Sequence, residues 1–132
     1  MVRRQRGFTL IELMVVMSLI VVLAGIGLTV YANSVTRAKE AVLKEDLYRM
    51  RQAIDQYYAD RNKYPESLDA LVTDKYLRVL PVDPFTNSAT TWQTVQAELE
   101  PGNATGAGPG IYDVKSGSEL AGIDGTNYVD WE

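Results

Sequence analysis

The apolar residues of this 132-residue chain are concentrated near its start. Residues 13–36 include no charged side chain and consist mainly of Met, Val, Leu and Ile. Because a helix needs about 20 such residues to cross a bilayer, this segment predicts a transmembrane helix. Gly25 and Gly27 lie within it and would allow neighbouring helices to approach closely.

The helical pattern continues beyond the apolar segment and becomes amphipathic. Six residues follow steps of three or four positions, as one face of an α-helix does: Leu43, Leu47, Met50, Ile54, Tyr57 and Tyr58. Neither Pro nor Gly occurs between Leu28 and Asn62, so the sequence predicts one long helix over residues 8–60 with its transmembrane part at 13–36. That helix would be about 80 Å long, more than a bilayer requires, so its second half must pack outside the membrane.

Residues 61–132 predict a small head that contains helix and strand. Asn62 and Pro65 end the long helix, and Ser67 begins a short capped helix. Two prolines make residues 80–85 an irregular segment. Alternation of apolar and polar residues predicts short strands at 95–99, 112–114 and 128–131, with glycine-rich loops at 101–110 and 116–126. The fold class is α+β, with the strands packed on the amphipathic half of the long helix.

Composition narrows the class of function. The chain has neither Cys nor His, so it can form no disulfide and lacks the commonest general base, and we expect no enzyme. Its formal charge is −4, but Arg3, Arg4 and Arg6 lie at the very start. From Glu98 onward, seven acidic residues accompany a single basic one, Lys115. An acidic end of this kind repels phosphates, so we expect no nucleic acid partner.

The segment Arg-Gly-Phe-Thr-Leu-Ile-Glu-Leu at residues 6–13 directly precedes the apolar run. It resembles the processing site of type IV prepilins and of the pseudopilins of type II secretion. The resemblance implies that a prepilin peptidase removes leader 1–7 by cleaving after Gly7 and methylates the new N-terminus at Phe8. It also implies that the Glu12 carboxylate pairs with the N-terminal amine of a neighbouring subunit during assembly.

The residues themselves offer a second explanation for Glu12. Thr9 and Glu12 have the spacing of a capping box, in which each side chain bonds the backbone N–H of the other residue at a helix start. An ionisable group that enters a bilayer is costly, however, and usually has a partner. Both roles for Glu12 stay open from the residues alone.

The resemblance extends to residues 64–71, 80–85 and 112–131, which are similar to the head of the major pseudopilin. It therefore covers nearly the whole chain and implies a type IV pilin-like fold. It implies a single-pass protein of the bacterial inner membrane with a periplasmic head at 61–132. Such a protein forms a homopolymer and works with other pseudopilins, an inner-membrane assembly platform and a cytoplasmic ATPase to drive protein export.

Major pseudopilins bind calcium in their C-terminal loop. By position, the resemblance implies Asp113, Ser116, Ser118 and Asp124 as ligands here, with Asp130 a weaker choice. Carboxylate and hydroxyl oxygens in a flexible loop suit Ca²⁺. The same residue types also populate ordinary turns, where they bond their own backbone.

Two other interpretations remain. The first is a subunit of a surface type IV pilus, although such heads more often close their C-terminal loop with a disulfide. The second is a secreted soluble binding module, because Val30-Tyr31-Ala32 offers small residues where a signal peptidase would cleave, after Ala32.

Overall fold

One helix, α1, accounts for 52 residues, Leu10–Arg61. The other elements are helix α2 (Leu68–Thr73), strands β1 (Gln93–Gln96) and β2 (Ile111–Lys115), and one 3₁₀ turn (Tyr128–Asp130). The structure is a computed structural model that describes residues 6–97 and 110–132. The first five leader residues, Leu99 of the first predicted strand and most of the loop predicted at 101–110 lie outside the described residues.

Local signals end α1 and begin α2. Asn62 adopts a left-handed φ of 52°, and its N–H donates to the Tyr58 carbonyl at 2.8 Å. Asn tolerates this conformation better than most residues, so it closes the helix as predicted. Ser67 then caps α2, because its Oγ accepts from the Ala70 N–H at 3.3 Å. The predicted short capped helix is confirmed.

The chain forms two compact units, residues 1–36 and 37–132. In the first unit, every described residue from Arg6 to Val35 is exposed. Helix α1 contains a segment long and apolar enough to cross a membrane, with a mean hydropathy of 2.7, and none of that segment is buried within the chain. Such an all-apolar helical surface is stable only against lipid or other helices.

In the second unit, α1 contributes one buried face to the core. Its buried residues are Leu43, Leu47, Met50, Ala53, Ile54 and Tyr57, at the predicted spacing. Tyr58 was predicted on this face but is 43% exposed, and its ring stacks on Tyr64 with 4.5 Å between centroids. Adjacent helical residues point about 100° apart, so Tyr57 and Tyr58 cannot both face the core.

The rest of the core comes from short elements after α1. Buried side chains from this part of the chain cluster with the α1 face: Leu68, Leu71, Trp92, Ile111, Val114 and Tyr128. Strands β1 and β2 pair antiparallel, with Gln93 opposite Lys115 and Thr94 opposite Val114. The α+β, pilin-like fold class is confirmed by this long helix and its small two-stranded partner.

The third predicted strand, at 128–131, is wrong. These residues form a 3₁₀ turn in which the Trp131 N–H donates to the Tyr128 carbonyl at 3.2 Å. Tyr128 is only 1% exposed, and its ring lies between Phe85, stacked at 4.0 Å, and Trp131, edge-on at 4.9 Å. This aromatic packing, rather than pairing with a neighbouring strand, places the segment.

Arg51 joins α1 to the sheet and to the C-terminal residues. Its Nε donates to Asp113 Oδ1 at 2.8 Å, and its Nη2 donates to the Val114 carbonyl at 3.1 Å and the Trp131 carbonyl at 2.8 Å. Because a guanidinium is planar and has several donors, one side chain can hold three acceptors from separate parts of the chain.

We expect Leu47→Ala to lower the free energy of unfolding of the second unit by about 2–5 kcal/mol, because Leu47 is 2% exposed in the core. Unfolding of the full chain in detergent can be followed by tryptophan fluorescence, since Trp92 and Trp131 both lie in this unit. Val42→Ala is the matched control, because Val42 lies on the same helix and is 49% exposed. Equal effects of the two substitutions would contradict the assigned helix face.

Candidate functional site

The predicted processing segment lies in irregular backbone ahead of α1. Residues 6–9 adopt no regular structure, and Leu10 is the first helical residue. Phe8 is 83% exposed, and a Cβ built on Gly7 would meet no atom within 4 Å. The bond between Gly7 and Phe8 is therefore open to another protein, as a cleavage site must be, while the processing role of both residues stays a prediction.

Thr9 caps the N-terminus of α1. Its Oγ1 accepts from the Glu12 N–H at 3.2 Å, and its carbonyl accepts from the Leu13 N–H at 3.1 Å. This is half of a capping box, because the return bond from the Thr9 N–H to the Glu12 carboxylate does not occur among the described residues. Capping thus explains Thr9 and leaves the Glu12 carboxylate without a partner within residues 6–97 and 110–132.

A continuous apolar surface begins beside Glu12. A shallow strip of the helix is lined by Ile11, Met14, Val15, Ser18, Leu19 and Val22. The Ser18 hydroxyl donates to the Met14 carbonyl at 2.8 Å, and Thr29, Ser34 and Thr36 likewise donate to the carbonyl four residues earlier. Because these hydroxyls are satisfied within the helix, the surface offered to lipid or to a neighbouring helix stays apolar.

Asp113, the first predicted calcium ligand, forms a salt bridge with the guanidinium of Arg51. Its Oδ1 accepts from Arg51 Nε at 2.8 Å and from the Val114 N–H at 2.8 Å. The Arg51–Asp113 pair is largely shielded from solvent, with side-chain exposures of 23% and 27%. The carboxylate of Asp113 therefore joins α1 to β2 in this arrangement.

Ser116 and Ser118 are buried and take part in a short hydrogen-bond chain. The Ser116 hydroxyl donates to Asp83 Oδ2 at 2.5 Å and accepts from the Ser118 N–H at 3.2 Å. Ser118 Oγ in turn accepts from the Leu120 N–H at 3.2 Å. Fully buried Asp83 also accepts from the Phe85 N–H at 2.9 Å, so both its oxygens are satisfied, as a buried carboxylate requires.

Asp124, the last predicted ligand, is exposed in a turn. Its Oδ1 accepts from the Thr126 hydroxyl at 2.6 Å and from the Thr126 N–H at 3.0 Å, and these bonds lower the pKa of the Asp124 carboxyl. Asp130 is also exposed. Among the described residues, no three acidic side chains gather where they could hold one metal ion. The predicted set has only two acidic members, Asp113 and Asp124, with two serines, so this finding does not decide its role, and calcium binding stays a prediction.

Three residues with long-range contacts were not predicted from the sequence: Glu40, Arg51 and Asp83. Glu40 lies seven residues before core residue Leu47, and Arg51 lies four residues after it, so both are on or beside the core face of α1, which is a detectable signal. Asp83 lies directly before Pro84, and an Asp in that position predicts a local turn. The turn is formed, with the Phe85 N–H donating to Asp83 Oδ1. The partners of these side chains lie far away in the chain, however, and no local pattern identifies them.

Tyr128 and Glu40 form a partly buried contact between the 3₁₀ turn and α1. The Tyr128 hydroxyl donates to Glu40 Oε1 at 2.9 Å. Burial of the phenol, together with this bond and the negative charge of Glu40, raises the pKa of Tyr128 to about 12. The folded chain therefore keeps this tyrosine neutral at a pH where an exposed one ionises.

The chain is similar in sequence to known proteins, both at its N-terminus and along much of its length. Residues 2–28 match the prokaryotic N-terminal methylation motif. Type II secretion system core protein G of Pectobacterium carotovorum is 35% identical over 115 residues, covering 75% of this chain and 69% of that protein. Core protein G of Pseudomonas aeruginosa is 37% identical, covering 64% of this chain and 71% of its own length.

Type IV major pilin protein PilE1 of Neisseria gonorrhoeae is 38% identical over 65 residues, covering 48% of this chain and 38% of the pilin. No solved structure matches the chain significantly. An apolar N-terminal helix behind a methylation motif, joined to a small α+β head, defines a membrane-anchored protein of the type IV pilin-like class. The chain belongs to the family of type II secretion system core protein G, the major pseudopilins.

The raised pKa of Tyr128 predicts a loss of stability in alkali. The folded-state pKa of Tyr128, about 12, exceeds the ordinary value of 10. The contribution of the neutral phenol to the free energy of unfolding is therefore complete below pH 10 and is lost as the pH rises to about 12. We expect the free energy of unfolding, measured by tryptophan fluorescence, to fall more steeply over this range for the native chain than for Tyr128→Phe. Parallel pH profiles would contradict the assignment, since the remaining tyrosines and lysines are common to both proteins.

Proposed function

We propose that this chain is a structural subunit that polymerises into a periplasmic filament and so drives protein export by type II secretion. The observation that supports this most directly is the exposed Glu12 carboxylate at the start of an exposed apolar helix. A charged group that enters a bilayer needs a partner, and the described part of the chain provides none. A second copy would supply one, the amine created at Phe8 by cleavage after Gly7.

Pairing of this kind would set the register between neighbouring helices. The amine and the carboxylate attract each other strongly in an apolar medium, so a misaligned subunit would leave two charges unpaired. The apolar surface of residues 13–36 would then pack helix against helix in the filament core, while the heads cover the outside. Growth of such a filament would push exported proteins outward, which is mechanical work and requires no catalytic group in this chain.

Family membership and the methylation motif also support a set of partners. We assign to the chain cleavage and N-methylation by a prepilin peptidase, storage in the bacterial inner membrane with the head in the periplasm, and co-assembly with other pseudopilins. An inner-membrane platform with a cytoplasmic ATPase would supply the energy for polymerisation. Lipid would cover the apolar helix until a subunit is assembled.

A subunit of a surface type IV pilus is the second candidate. The identity to a gonococcal major pilin supports it, but that similarity covers 48% of the chain, whereas the similarity to core protein G of Pectobacterium covers 75%. The similarity to core protein G thus extends over more of the chain, which favours secretion.

The mature N-terminus tests the maturation step. In cells that carry a prepilin peptidase, we expect mass spectrometry of the membrane-extracted protein to identify N-methylated Phe8 as the first residue. Gly7→Val should block cleavage, because the enzyme would then meet a side chain where the native segment has open space. A mature protein that begins at Asn33 would instead indicate a signal peptidase and a released soluble product.

Glu12→Ala tests assembly. We expect the variant to be processed and inserted normally but to enter filaments poorly, measured as the sheared filament fraction relative to total membrane protein. Thr9→Ala is the matched control, because it removes the helix cap, worth about 1 kcal/mol, and leaves the Glu12 carboxylate in place.

Native filament yield from Glu12→Ala would refute the assembly role of the carboxylate. If Thr9→Ala were as defective as Glu12→Ala, assembly would depend on the helix start as a whole and the assignment to the carboxylate alone would be wrong.

A further inference from the structure

Glu40 reaches from α1 to two separate points of the C-terminal segment, residues 120–131. Its Oε1 accepts from the Ile123 N–H at 2.9 Å and from the Tyr128 hydroxyl at 2.9 Å. These partners are 83 and 88 positions away in the chain. Hydrogen bonds to a charged acceptor are stronger than those between neutral groups, so one carboxylate holds both ends of the turn between them.

The next turn of α1 adds a cation to the same contact. Lys44 Nζ lies over the Trp131 ring, 4.8 Å from its centroid, and the positive charge of Lys44 contributes to lowering the pKa of Asp124. Arg51, two turns further on, holds the Trp131 carbonyl at 2.8 Å. The three charged residues follow the spacing of one helix face, so α1 presents one anchoring stripe to the segment.

Gly122 allows the segment to approach this stripe. A Cβ at residue 122 would lie 3.0 Å from Glu40 Oε1, 3.0 Å from Asp124 Oδ1 and 3.1 Å from Trp131 Cζ2. Any larger residue would have to displace the carboxylate or the indole ring. The segment is therefore packed closely against the Glu40 carboxylate at Gly122.

The same geometry bears on the predicted calcium site. One side-chain oxygen of each of the four predicted ligands takes part in a hydrogen bond within the chain: Asp113, Ser116, Ser118 and Asp124. Arg51 pairs with Asp113, and the positive charge of Lys44 acts on Asp124, so both cationic side chains would repel a divalent cation. The contacts that hold the segment come instead from side chains of α1, Glu40 and Arg51.

We propose that Glu40 is the positioning residue that fixes residues 120–131 to α1, so that this segment keeps its structure without a bound metal ion. The proposal concerns one folded chain and does not depend on polymerisation. In this proposal, the order of the C-terminal segment depends on a side chain that lies more than 80 residues earlier in the chain.

Hydrogen exchange followed by mass spectrometry on the full chain in detergent tests the proposal. In the native chain, we expect exchange in residues 121–127 to be the same in excess calcium chloride and in EDTA. Glu40→Ala should speed exchange there by about tenfold or more, because the Ile123 N–H loses a charged acceptor. Glu45→Ala is the matched control, since Glu45 is an exposed acid of the same helix that pairs with Arg49.

A faster exchange of residues 121–127 in EDTA than in calcium would overturn the proposal, because a metal would then hold the segment. Equal exchange in Glu40→Ala and Glu45→Ala would overturn it as well. If Glu40→Ala does not fold, the proposal is tested by comparing exchange in Glu40→Gln with exchange in the native chain. The Gln variant keeps one acceptor oxygen and should exchange faster than the native chain, while exchange at the native rate would remove any need for the carboxylate.

Discussion

The buried face of α1 is the constraint on which the second unit depends. Its six core residues belong to one cluster with side chains of α2, β2 and the 3₁₀ turn. A helix of six residues and a two-stranded sheet are each marginal in water by themselves. These short elements are therefore stable because the helix supplies a continuous apolar surface that they can cover, and loss of the helix face would leave each of them without a core.

Charged residues share that face without disturbing it. Glu40, Lys44 and Arg51 lie on or beside this face, and all three contact the C-terminal segment, Glu40 at Ile123 and Tyr128 and the two cations at Trp131. The part of α1 in the first unit has no buried face. Its hydroxyls bond to carbonyls of the helix, and its apolar side chains are exposed. One continuous helix thus combines a surface suited to lipid and neighbouring helices with a surface suited to its own head.

The features that sequence could predict are those that local chemistry determines. The apolar run, the period of the core face, the Asn62 ending and the Ser67 cap each depend on residues within a few positions. The strand predicted at 128–131 failed because three alternating residues are too few to distinguish a strand from a turn, and because Phe85, 43 residues earlier, packs on Tyr128. The calcium ligands were chosen by residue type, whereas Ser116 and Asp113 take partners 33 and 62 positions away. The methylation motif was recognisable because its residues are contiguous in the sequence and its described residues are exposed.

The contacts of Glu40 and Arg51 with the C-terminal residues also carry a consequence for biogenesis. They close loops of 80 to 88 residues, so these contacts join parts of the head that are far apart in sequence. During synthesis, α1 leaves the ribosome long before the residues that cover its core face, while its apolar part is already able to enter the membrane. Leu43, Leu47 and Ile54 therefore stay uncovered until the C-terminal residues have been made, and that interval is when a chaperone or a protease has its best access to the chain.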